Sequence, residues 1–152
     1  MEDKLYIKED HSSFSNSDSA ISTHIKLEWD LDFNASVIRG SCEHVVKILK
    51  AGVKEVSFDS ASSIVLTSDV LVNGSKAVVQ YGELHQVLGR RISVQVDSYE
   101  GQVLIITFFY EANSSASAVQ WLPPSATKGG KYPYVFTQSQ AIHARSLVYH
   151  LY

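Results

Sequence analysis

From Ile25 to Phe33 the chain alternates without a break. Ile25, Leu27, Trp29, Leu31 and Phe33 are apolar, and Lys26, Glu28, Asp30 and Asp32 stand between them. Side chains repeat every two residues along a strand and about every 3.6 along a helix, so this pattern describes a strand with one face on a core and one in water. Asn34-Ala35-Ser36 follows as a turn. Val37 to Leu49 reads as a second strand in which Gly40 marks a bulge or bend. Val56 and Phe58 alternate with polar neighbours in a third, and Ile92, Val94 and Val96 in a later one.

Asn73-Gly74, flanked by Val70, Val72 and Ala77 to Val79, is the clearest hairpin signal, because both residues accept the positive φ of a two-residue turn. Val103 to Tyr110 is rich in β-branched and aromatic residues on both faces and is placed in the interior of the sheet system. Ala112 to Lys131, with Pro123, Pro124, Gly129 and Gly130, reads as a long surface connection. Tyr132 to Phe136 and Ala141 to Val148 look extended again. No stretch has a capped helical period. The fold class expected is all-β, in one domain preceded by a flexible, Ser-rich lead-in over residues 1–20.

Several function classes fall away. Thirteen basic against sixteen acidic residues give a net charge of −3, which argues against a broad nucleic-acid-binding surface. The Met-Glu-Asp-Lys start lacks a secretory pattern, and no apolar run approaches the ~20 residues of a membrane helix. One cysteine, Cys42, fits a reducing compartment, and the expected location is cytoplasmic. Six histidines include no His-Glu-x-x-His, and the pairs Cys42/His44 and Glu83/His85 lack further ligands nearby, so no metal site and no catalytic residue is assigned.

One stretch stands apart: Tyr132-Pro133-Tyr134-Val135-Phe136-Thr137-Gln138-Ser139-Gln140-Ala141-Ile142-His143-Ala144-Arg145. In an extended chain Gln138 and Gln140 share a face, and two neutral amides there offer donors and acceptors that position a polar group without acid–base chemistry.

With Gln120-Trp121-Leu122-Pro123 and Lys128-Gly129-Gly130 ahead of it, this run resembles a signature in the N-terminal domain of the gluzincin zinc aminopeptidases, in their leukotriene A(4) hydrolase-like branch. Leu71-Val72-Asn73-Gly74 and Tyr81-Gly82-Glu83 support the resemblance, which covers about residues 14–148. It implies a saddle-like, multi-stranded β domain over 21–148 and a divergent tail at 149–152, without the catalytic zinc domain and helical domain that are its partners in the family.

It further implies that Gln140 holds the free amino group of a peptide substrate, that Ala141 lines the first side-chain pocket, and that Gln138 sits deeper, where the branch's epoxide hydrolases place a water. Zinc belongs to the full-length parent; no cofactor is expected in this chain. After the His-x-Arg the family continues into a Pro-Cys-x-Asp-x-Pro run, whereas here Leu147-Val148 is followed by Tyr149-His150-Leu151-Tyr152, which implies a truncated or spliced form, or an incomplete gene model, inactive alone. The alternative is a non-catalytic β interaction module whose open apolar face invites association.

Overall fold

The computed structural model describes residues 11–151. Residues 1–10, half of the expected lead-in, and Tyr152 lie outside the described residues. Eleven strands carry the fold: β1 Ala20–Asp32, β2 Val37–Ile48, β3 Glu55–Ser60, β4 Ile64–Leu66, β5 Leu71–Val72, β6 Ser75–Lys76, β7 Val79–Tyr81, β8 Arg90–Gln95, β9 Val103–Ala112, β10 Val119–Leu122 and β11 Tyr134–Thr137. The largest sheet runs β1-β2-β9-β5-β6, with β4 also on β9. A second sheet runs β3-β8-β7, and β10 pairs with β11; every pairing is antiparallel. The all-β expectation holds.

The core lies between the first two sheets. Ile38, Cys42, Val46 and Ile48 of β2 and Leu104, Ile106, Phe108 and Tyr110 of β9 point into it from one side, at alternate positions. Val56 and Phe58 of β3 and Ile92 and Val94 of β8 close it from the other. The rings of Phe58, Phe108 and Tyr149 meet at centroid distances of 4.9 and 4.5 Å, and His44 sits edge-on to Phe58 at 5.0 Å. Each such side chain, fully buried, contributes roughly 1.5–3 kcal/mol through removal of its apolar surface from water.

Gly40 is regular ladder, paired with Trp29 and Tyr110, and not the bulge expected of it; the register shift falls at Ser22/His24. Its role is close approach, because a Cβ there would lie 1.9 Å from the Glu28 carbonyl oxygen. Asn73 and Gly74 have φ of 49° and 81° and form the expected hairpin between β5 and β6.

Four further expectations need correction. The apolar stripe of β1 is only half covered: Ile25, Leu27, Trp29, Leu31 and Phe33 remain 36–44% exposed, because the second sheet reaches β2 and β9 but not β1. β9 is interior in strand order, yet Val103 and Ile105 on its outer face are exposed. The Ala112–Lys131 connection contains β10 and a short 3-10 helix at Pro124–Ala126; four residues are too few to display a period, and their partner β11 lies beyond the loop. His143–Ser146 is a 3-10 helix and not extended chain.

The ends are also more structured than expected. Asn16 hydrogen-bonds the backbone of β3 at Glu55 and Ser57, so the described part of the lead-in covers a strand edge. At the other end Tyr149 and Leu151 are core residues, and the backbone of His150 bridges that of Asp59.

His44 makes the core sensitive to acid. It is fully buried, its Nε2 lies 2.8 Å from the Tyr149 carbonyl oxygen, and its Nδ1 lies 2.8 Å from Ser22 Oγ. A carbonyl only accepts, so Nε2 carries the proton and Nδ1 accepts from the serine: the neutral ring satisfies both contacts. Burial pushes the His44 pKa down from 6.5 to about 4, against the opposing pull of the Tyr149 carbonyl. The unfolded chain therefore binds the extra proton first. Stability is full above pH 6.5 and is lost as pH falls toward 4, by about 2 kcal/mol at pH 5. Urea unfolding at pH 7 and pH 5 should show this loss in the native chain and a clearly smaller one in His44→Gln, which keeps a donor and an acceptor but does not titrate; the remainder comes from His150, whose pKa burial also lowers.

Candidate functional site

Gln138, Gln140 and Ala141 follow β11 directly. β11 lies beside β10 from Val119↔Thr137 to Leu122↔Tyr134, and one further bond, from Gln138 N–H to the Ala118 carbonyl at 2.8 Å, extends the ladder. There the strand ends. Gln140 and Ala141 lie in a turn, joined by a cis peptide bond, and the His143 N–H closes onto the Ser139 carbonyl at 3.0 Å.

The two glutamines are therefore not twin amides on one strand face. Gln138 Oε1 accepts the backbone N–H of Gln140 at 2.9 Å, so one side chain fixes the backbone that carries the other. Both residues and Ala141 are exposed. An amide so placed can accept from an ammonium group or donate to a carbonyl, and it carries no charge of its own.

What holds this turn is a residue to which the sequence reading assigned no role. Arg145, 4% exposed, donates from Nε to the Ile142 carbonyl, from Nη1 to Leu88 O and from Nη2 to Ser12 O, at 2.7–3.0 Å. Its Nη1 also stands 3.5 Å from Asp59 Oδ1, and Asp59 is fully buried. The Asp59 carboxylate accepts in addition from the Phe14 N–H and the Ser13 hydroxyl. Arg145 was visible only as the last letter of the run; Asp59 and Ser13 had no local signal, since their partners lie far away in sequence.

Beside the turn, a cleft of about 530 Å³ is lined by His143, Ser117 and Ser146 and by residues of the His85 loop, Leu84 to Val87, among others. Ser117 Oγ lies 2.7 Å from His143 Nδ1. No acidic residue lines this cleft, so the pair lacks the carboxylate of a nucleophile triad. His85 Nδ1 accepts from the N–H groups of Val87 and Leu88, which is a turn contact. Cys42 is buried, and burial raises its thiol to about 12, so it is a protonated core residue. Among the described residues no three His, Cys, Asp or Glu side chains converge as metal ligands, and the residues present do not fit a catalytic zinc.

No family model matches the chain. It is 33% identical over 138 residues to leucine aminopeptidase 2-2 of Scheffersomyces stipitis, covering 91% of this chain and 21% of that protein. The solved structure of yeast leukotriene A(4) hydrolase in complex with bestatin superposes with a TM-score of 0.85 at 31% identity, over 97% of this chain and 23% of that one. An M1 zinc metallopeptidase from Deinococcus radiodurans shares the fold at 13% identity and a TM-score of 0.50, over 65% of this chain. The chain spans about a fifth of the length of the curated relatives it matches. No helix among the described residues is long and apolar enough to cross a membrane.

The buried pair should behave as a unit. Removing one partner leaves an uncompensated charge in the interior, which costs about 3–5 kcal/mol. Arg145→Met and Asp59→Asn should each destabilise the chain by that order in urea titrations, and the double variant by clearly less than their sum. Additive losses would show that the two do not act together.

Proposed function

This chain is homologous to the N-terminal β domain of the leukotriene A(4) hydrolase-like M1 zinc aminopeptidases, and from that premise we propose that its turn at Gln138–Ala141 positions a peptide substrate for a zinc-dependent aminopeptidase. The observation that carries this reading is exposed Gln140 on a backbone fixed by Gln138 and backed by buried Arg145.

Gln140 Oε1 accepts a hydrogen bond from the substrate's N-terminal ammonium group. Ala141, small and exposed, borders the pocket for the first side chain. Gln138 acts through Gln140 by holding its backbone, which limits the freedom that binding would otherwise have to remove. The partners in this reading are the catalytic and helical regions of a larger enzyme, which supply the zinc; peptide hydrolysis, and epoxide opening if it occurs, belong to that whole. A single buried thiol suits the reducing cytoplasm.

Two outcomes test the reading. In an enzyme that joins this domain to a zinc catalytic region, Gln140→Ala should raise KM for aminoacyl substrates by roughly tenfold or more, the loss of about 1.5–3 kcal/mol for a hydrogen bond to a charged group, with a smaller effect on kcat. Unchanged KM would refute the role of Gln140. The purified 152-residue chain, which carries no His-Glu-x-x-His, should not hydrolyse an aminoacyl chromogenic substrate in the presence of zinc. Turnover that scales with its concentration would contradict that.

A further inference from the structure

We propose that the exposed edge of β1 is a homodimer interface, in which two copies pair antiparallel about Leu27 and join their large sheets into one. The inference is independent of the role assigned to the Gln138–Ala141 turn.

β1 is the outermost strand of the large sheet, and among the described residues no strand pairs with its outer edge. At thirteen residues it exceeds β3, β6 and β7, the other terminal strands of the two main sheets, at six, two and three residues. A long edge with an apolar face is a template for another strand, and proteins that keep such an edge solitary blunt it. Here Ile25, Leu27, Trp29, Leu31 and Phe33 stay 36–44% exposed in one continuous stripe.

The charges on the opposite face select both the occupant and the register. In antiparallel pairing, directly opposed residues share a face. A two-fold axis through Leu27 sets Lys26 against Glu28 of the partner and His24 against Asp30, each pair occurring twice by symmetry. On the other face it sets Ile25 against Trp29 and Leu27 against Leu27. Neighbouring registers fail. An axis at Lys26 opposes two lysines, an axis at Glu28 opposes two glutamates, and an axis at Trp29 opposes Glu28 to Asp30. An axis between two residues opposes the apolar face to the charged one.

Lys26 and Glu28 already contact each other at 3.1 Å within one chain, both well exposed, so in the dimer they exchange a solvated partner for one across the interface. The sequence of β1 is self-complementary in one register, and the ligand that matches it is a second copy of this chain.

The full chain should sediment as a concentration-dependent monomer–dimer mixture, the larger species having about twice the 16.8 kDa chain mass. Leu27→Lys, which sets two ammonium groups on the axis, should abolish the dimer; Leu27 is 44% exposed, so the circular dichroism spectrum should not change. Lys26→Glu or Glu28→Lys alone should weaken the dimer about tenfold, because each turns two attractive cross-strand pairs into repulsive ones. The double exchange Lys26→Glu/Glu28→Lys should restore it. A chain that stays monomeric into the high micromolar range overturns the proposal. So does a dimer indifferent to these changes, or a monomer whose stripe binds only a separately produced zinc catalytic region.

Discussion

The contact between Asp59 and Arg145 is the constraint on which the rest of the molecule depends. Neither side chain reaches water to any extent, and a buried charge is tolerated only when opposite charge and hydrogen bonds compensate its lost hydration. Here the compensation comes from four other places in the chain. Residues 12–14 cover the pair, Leu88 and Ile142 lend carbonyls to the guanidinium, and the backbone of His150 closes on that of Asp59. The pair thus ties both ends of the described chain, the loop before β8 and the Gln138–Ala141 turn to strand β3. Its ionic attraction matters less than this geometry, since each segment is held only while the others are present.

The same logic explains why the last residues belong to the core. Tyr149 stacks on Phe108, lies edge-on to Tyr110, and offers its carbonyl to His44. A polar ring is placed in an aromatic core because one backbone carbonyl and one serine hydroxyl satisfy it in its neutral form. The candidate turn sits between Arg145 and the β10–β11 ladder, so it has support on both sides before any substrate arrives. That is the arrangement expected of a positioning element, whose value lies in the motion it has already lost.

Most of the strands were legible because alternation over six or more residues is a direct image of the pleat: β1, β2, β8 and the Asn73-Gly74 hairpin could be read from residue types alone. What escaped was set by partners distant in sequence. β10 is four residues long and exists through β11. His143–Ser146 curls into a 3-10 helix so that Arg145 and Ser146 reach buried partners, although the β-like composition of that stretch suggested a strand. The half-covered face of β1 was unreadable for a related reason, since alternation tells which face is apolar and not whether a second layer reaches it. Of the site, the residues were legible and the geometry was not: nothing local says that Gln138 bonds the backbone of Gln140, or that Asp59 lies beneath the turn through Arg145.

The central claim is that the Gln138–Ala141 turn is held in place by the folded core and is not a free loop. Native-state hydrogen exchange tests it most directly, at the amides of Gln138, Gln140 and His143, whose acceptors are Ala118 O, Gln138 Oε1 and Ser139 O. The account predicts that all three exchange well below free-peptide rates, and that in Arg145→Met they lose protection together with the Phe14 and Asp59 amides. Exchange at free-peptide rates in the native chain, or protection indifferent to Arg145, would contradict it.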